Sequence, residues 1–309
     1  MTRPWIFVSL GLLFLSATCE RTVDLGLEDP DPRLAIVGTF SEGEPLKVEV
    51  TKTRSVLADA STEYPLNAVI RLFDDSGFLE QLVLSPPEEG ATPFYQTKQF
   101  EPQTGREYRL EVRVPGFPTA EAVSTAPAKV PLDQMEAFQV QAVDNPENNT
   151  VAYQYSLKAA FADPSSNRQK NYYHLLFFLQ LERTSGILGD TAVQEFRSIV
   201  LSSSINTNFQ AAHYEGGVLL EDTPFEGKYQ AFDFPVTLEL PKDLGTPTGV
   251  IAVLRSVPEE YYRFFSAVNR QRVNPDLPFA EPVILFTNVK NGVGVFSGYS
   301  QDFLAARIK

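Results

Sequence analysis

The chain has 309 residues, 43% of them hydrophobic and 12% aromatic, with 26 Lys and Arg against 39 Asp and Glu, for a formal net charge of −13. This apolar content marks a folded protein long enough for two cores, and so acidic a surface disfavours nucleic acid and anionic lipid as direct partners. The 23 prolines and 18 glycines are spread along the chain, as turn punctuation in a β-rich fold would be.

Residues 1–18 begin with Arg3, continue through an apolar run at 5–15 broken only by Ser9 and Gly11, and end in Ser16, Ala17 and Thr18. A basic start, a short apolar stretch and a small-residue exit define a secretory signal peptide. As a helix the run would reach about 16 Å, half of the ~30 Å needed to span a bilayer. It addresses the chain and does not anchor it.

Cys19 follows at once and is the chain's one cysteine, so it has no partner for an intrachain disulfide. Leu15-Ser16-Ala17-Thr18-Cys19 resembles the lipobox of bacterial lipoproteins, with the leucine one place early and threonine where glycine or alanine is usual. Cys19 is therefore the expected lipid attachment site. Each buried CH₂ contributes about 0.8 kcal/mol, so two or three acyl chains hold a protein at a bilayer effectively for good. Residues 19–32, with Glu28, Asp29, Pro30, Asp31 and Pro32, read as a solvated tether; no glycine makes the tight turn of a calcium loop and no glutamate follows at its distance.

From 33 to 130 the period is two. Leu46, Val48 and Val50 alternate with Lys47, Glu49 and Thr51, and Tyr108, Leu110, Val112 and Val114 alternate with Glu107, Arg109, Glu111 and Arg113. That pattern gives one buried and one wet face to each strand of an antiparallel sandwich. Further strands are predicted at 34–40, 68–74, 78–84, 94–100 and 120–125. Asp74-Asp75-Ser76-Gly77 is a hairpin turn, and turn chemistry accounts for its two carboxylates better than a metal or an acid–base pair does. Seven short strands at this spacing, with Gly105-Arg106-Glu107-Tyr108 as a tyrosine corner, predict an immunoglobulin-like β-sandwich.

Pro127 and Pro131 bracket a boundary, after which residues 131–309 form a second β-rich domain. Strands are predicted at 135–143, 151–161, 172–182, 232–240 and 250–256, and irregular chain at 188–227. A helix is predicted to begin near Ser256, which has capping-box spacing to Glu259, with Pro258 in its first turn. Tyr261, Phe264, Phe265 and Val268 share one face of it and are expected to pack against the second sheet. His174 sits in an apolar strand and reads as a packed residue. His213, beside Tyr214, Glu215 and Gly216 in the irregular region, is the better candidate for a catalytic base. Asp190-Thr191-Ala192 resembles the acceptor triplet of a periplasmic O-glycosylation system, making Thr191 a candidate modification site.

Four stretches carry a family resemblance. They are Thr51-Lys52-Thr53-Arg54-Ser55-Val56-Leu57; Glu260-Tyr261-Tyr262-Arg263; Asn274-Pro275-Asp276-Leu277-Pro278-Phe279-Ala280-Glu281-Pro282; and Thr287-Asn288-Val289-Lys290-Asn291-Gly292-Val293-Gly294-Val295-Phe296-Ser297-Gly298-Tyr299. Together they resemble the lipoproteins of domain-of-unknown-function family 4249, with Leu277-Pro278 in place of a single junction and valines for isoleucines. The glycines of the last stretch read as structural, since no strand-to-helix turn follows to cradle a phosphate. The resemblance implies an outer-membrane lipoprotein working beside a TonB-dependent transporter, and the expected location is the outer membrane, lipid-anchored, at the cell surface.

No H-E-x-x-H, G-x-S-x-G or C-x-x-C motif occurs. The expectation is thus a non-catalytic, lipid-anchored accessory or substrate-capture protein with no cofactor and no metal. A surface hydrolase using His213 and an adhesive or structural surface module are the alternatives.

Overall fold

The computed structural model describes residues 31–54, 61–85, 91–165, 170–185, 191–201, 210–211, 215–273 and 284–309. The signal peptide, Cys19, His213, the Ser55-Val56-Leu57 end of the first family stretch and the Asn274-to-Pro282 stretch lie outside them. The fold is mainly β, as the alternation predicts.

The first sandwich holds β1 (Leu34–Phe40), β2 (Lys47–Lys52), β3 (Val69–Asp74), β4 (Gly77–Gln81), β5 (Val83–Ser85), β6 (Phe94–Gln96), β7 (Glu107–Arg113) and β8 (Ala120–Thr125). One sheet runs β4-β3-β7-β8; the other contains β1-β2-β6-β5. Between them Leu34, Ile36, Val48, Ile70, Leu72, Tyr108 and Leu110 are buried, each from the apolar side of its strand. Asp74 accepts from the Ser76 N–H at 2.9 Å and its hydroxyl at 2.5 Å, which makes the β3–β4 hairpin and holds the Asp74 carboxyl below the usual range.

Two predicted strands are shorter than their patterns suggest. The stretch 78–84 divides at Leu82, because β4 pairs with β3 in one sheet and β5 with β6 in the other. The stretch 94–100 stops at Gln96, where the amides of Lys98, Gln99 and Phe100 turn away from the ladder to donate to the Glu80 carboxylate. Tyr108, fully buried, accepts from the Gln103 N–H at 2.9 Å, the bond of a tyrosine corner. Tyr108→Phe is expected to lower stability by about 1 kcal/mol in urea unfolding, the worth of one buried hydrogen bond, without changing the fold.

The second sandwich holds β9 (Gln134–Asn145), β10 (Thr150–Ala162), β11 (Tyr172–Ser185), β12 (Thr191–Ser198), β13 (Gln210–Ala211), β14 (Val218–Glu221), β15 (Tyr229–Pro241) and β16 (Thr246–Val257). Its sheets run β15-β10-β9 and β13-β14-β11-β16, with β12 also paired to β11. Their shared core includes Tyr155, Leu157, Phe161, Leu175, Phe177, Phe234, Val250 and Leu254. Residues 188–227, expected to be irregular, contain β12 and β14. The outer residues of β12 are mostly exposed, Val193 and Phe196 among them, so no in–out alternation marks it in the sequence.

The helix α1 (Glu259–Val273) follows. The predicted capping box does not form. Ser256 is still in β16, and its hydroxyl accepts from the Val130 N–H at 3.2 Å; the first helical bond instead runs from Tyr262 N–H to the Pro258 carbonyl. The aromatic face of α1 is buried, as predicted. Tyr261, Phe264 and Phe265 pack with Leu219 and Val257 from the second sandwich and with Val295 from the first sheet, so the face belongs to both sandwiches.

The end of the chain joins the two bodies. β17 (Val293–Gly298) pairs in parallel with β1, from Ala35–Val293 to Phe40–Gly298, and puts Phe296 into the first core. β18 (Ser300–Arg307) pairs antiparallel with β16. Only Tyr299 separates strands that belong to different sandwiches. The glycine-rich ending serves this crossing: Asn288 clips β17 by accepting from the Phe296 N–H at 3.0 Å and donating to its carbonyl at 2.7 Å. Gly294, at φ +116°, passes so close to β1 that a Cβ there would lie 1.9 Å from the Ile36 carbonyl oxygen.

Candidate functional site

A cleft of about 500 Å³ opens where the outer face of the β1–β2 sheet meets the second sandwich. Strand periodicity sets its floor: Val37 and Thr39 of β1 point the same way as their cross-strand partners Glu49 and Lys47 of β2. Phe94 of β6 extends the floor, with the Lys47 ammonium 5.4 Å from its ring centre. The wall comprises Arg255 from β16, Tyr299 at the crossing and Glu215.

Arg255 is the centre of that wall. Its guanidinium lies 4.4 Å from the Tyr299 ring, pairs with the Glu215 carboxylate through Nη1, and brings the same nitrogen within 3.5 Å of the Tyr261 hydroxyl. Burial pulls the Arg255 pKa down, but Tyr261, Glu215 and Tyr299 outweigh it and hold the group above its ordinary value. It is a permanent cation.

Behind Arg255 the bonds continue inward. The Tyr261 oxygen is 2.9 Å from His174 Nδ1, and His174 Nε2 is 2.8 Å from the Gly216 carbonyl. A carbonyl only accepts, so Nε2 carries the proton and Nδ1 accepts from the Tyr261 hydroxyl. Burial, with the Arg255 charge adding to it, pushes the His174 pKa down to about 3. His174 is thus a neutral, doubly bonded core residue, 1% exposed and not a lining residue of the cleft. The chain it supports ends on Glu215-Gly216-Gly217, three successive residues at positive φ; a Cβ at Gly217 would lie 2.2 Å from the Leu175 carbonyl oxygen. This tight backbone presents Glu215 to Arg255.

The other residues singled out from sequence do not converge here. Thr191 opens β12 opposite Ser185, and its side chain is outside the described residues. Cys19 and His213 are outside them too. Among the described residues no group of three His, Cys, Asp or Glu could hold a metal, and no helix is long and apolar enough to cross a membrane. The residues that sequence reasoning missed are Arg255, Glu215 and Glu49. Arg255 alone had a signal, a charge directly after the apolar run Val250-Ile251-Ala252-Val253-Leu254.

Strand pairing therefore defines a class: a two-sandwich β protein whose bodies are stitched by one exchanged strand and one helix. The chain belongs to the family described as Domain of unknown function (DUF4249), whose model matches residues 20–303. No curated protein matches it. Among solved structures, a mutant Salmonella alpha-2-macroglobulin is 11% identical over 92% of this chain, with a TM-score of 0.23. The chain spans only 16% of that protein's length. Dpr2 Ig1-Ig2 in complex with DIP-Theta Ig1-Ig3 is 10% identical over 74% of this chain and 94% of its own, with a TM-score of 0.20. Scores this low define no common fold, and the sandwich assignment rests on the pairing itself.

Proposed function

We propose that this protein is a non-catalytic, lipid-anchored capture protein of the outer membrane, acylated at Cys19 and working beside a TonB-dependent transporter. The observation that carries the capture function is the cleft, whose floor stands on the paired strands β1 and β2 of one sandwich and whose wall centres on Arg255 of β16 in the other. A site on strands is held rigidly enough to bind without chemistry. The polar groups behind the cleft support the same view, because His174 spends both nitrogens on structure. Attachment at Cys19 is supported by the apolar leader and small-residue exit before it, and the transporter partnership by the family resemblance of the C-terminal stretches.

A tagged copy recovered from native membranes in mild detergent is expected to bring the transporter with it. Cys19→Ser is expected to move the protein out of the membrane fraction and to abolish that recovery. Clean isolation of the wild-type chain alone, or a Cys19→Ser variant that still sediments with membranes, overturns the proposal.

A further inference from the structure

β1 is the first strand after the stretch expected to tether the chain, and it lies inside its sheet instead of at the edge. On one side it pairs antiparallel with β2, from Leu34–Lys52 to Thr39–Lys47; on the other it pairs in parallel with β17, from Ala35–Val293 to Phe40–Gly298. Leu34, Ile36 and Phe40 sink into the first core. The end nearest the tether is bonded on both sides as well. The Arg33 N–H donates to the Thr53 hydroxyl and its carbonyl accepts from the Thr53 N–H, each at 2.8 Å, while Nη2 donates to the Gly292 carbonyl at 2.6 Å. β17 and the turn before it are held from their far side too: the Gly298 N–H donates to the Ser124 hydroxyl of β8 at 3.2 Å, and Asn291 Nδ2 donates to the Thr119 carbonyl at 2.9 Å.

Strand direction decides how these bonds share a pull. Because β17 runs parallel to β1, the start of β1 and the end of β17 lie at opposite ends of the ladder, and the end of β17 passes through Tyr299 into β18 and the second sandwich. A pull between the tether and the second sandwich therefore runs along the strands. Ladder bonds lie across the strand axis, so such a pull strains them together; an antiparallel β17 would bring its exit beside the entry of β1 and let the bonds open one at a time. We propose that β1 is a mechanical clamp, sheared on both sides at once when tether and second sandwich are drawn apart, so that the first sandwich stays folded under tension. Resistance to a pull is set by the unfolding barrier and not by equilibrium stability, so strand order confers it without a larger core. The membrane-anchored function proposed above supplies the tension; the clamp itself rests on strand pairing alone.

The test is single-molecule stretching at constant force of the mature chain made without its leader, whose one cysteine, Cys19, takes the first handle. In one geometry the second handle is a C-terminal tag, which draws β17 from its end. In the other it is attached through Lys290→Cys, an exposed position just before β17, which peels the same ladder from the Arg33 end. The tagged chain carries Lys290→Ser, so that both chains have lost the same side chain. At equal force the time to first rupture is expected to be about tenfold or more longer with the tag than with Lys290→Cys. Equal lifetimes, or a longer one in the peeling geometry, overturn the clamp. They do so without touching the anchor, which a Cys19→Ser variant that still sediments with membranes would overturn by itself.

Discussion

Gly294→Ala is expected to cost more than about 4 kcal/mol or to prevent folding, because two penalties fall on one residue. At φ +116° any side chain is strained, and the added carbon would lie 1.9 Å from the Ile36 carbonyl oxygen and 2.8 Å from its carbonyl carbon. Backbone cannot move aside as a flexible side-chain tip can, so β17 would have to leave β1. Phe296 and Val289 would leave the first core with it, and Val295 would leave the cluster that holds α1. Gly43→Ala is the control: its φ is +77°, but nothing lies within 4 Å of the added carbon. It should cost only about 1 kcal/mol, the left-handed strain alone. Urea unfolding of the two variants measures the difference; equal costs would mean that the parallel pairing is not what joins the bodies.

Acidification from pH 7.5 to 5.5 is expected to remove about 1.4 kcal/mol of stability through His174 alone. Burial lowers its pKa from 6.5 to about 3 in the folded protein. Between those values the unfolded chain binds a proton that the folded one refuses. The contribution is therefore whole above pH 6.5, falls as pH drops below it, and is spent near pH 3. A protonated Nδ1 could no longer accept from Tyr261, and the new charge would stand near Arg255. His174→Gln should be less stable at neutral pH, yet its unfolding free energy should lose this slope. Equal pH slopes for wild type and His174→Gln between pH 7.5 and 5.5 would disprove the buried neutral imidazole.

Local rules succeeded wherever one face of a segment meets the core and the other meets water. β1 and β8 have the predicted bounds, and the tyrosine corner and the Asp74 hairpin are closed by bonds within a few residues. They failed where a remote partner took over a local group. The Ser256 hydroxyl suits a helix cap, but Val130, 126 positions earlier, uses it. β12 carries no alternation because it lies on an edge. The candidate site was least legible of all: Glu215 is 40 residues from Arg255, and Glu49 is in the other sandwich.

What the amino-acid order determined by itself is the β class, the periodicity of the first sandwich, the aromatic face of α1 and the family-like ending, since each is written in spacings of two to four residues or in a contiguous motif. Only the tertiary structure decided that β17 returns to β1, that Tyr299 sits at the crossing, and that Arg255 and Glu49 face one cleft. Those facts depend on which strands pair across more than two hundred positions, and hydrogen-bonding edges are alike enough that no local pattern specifies the partner.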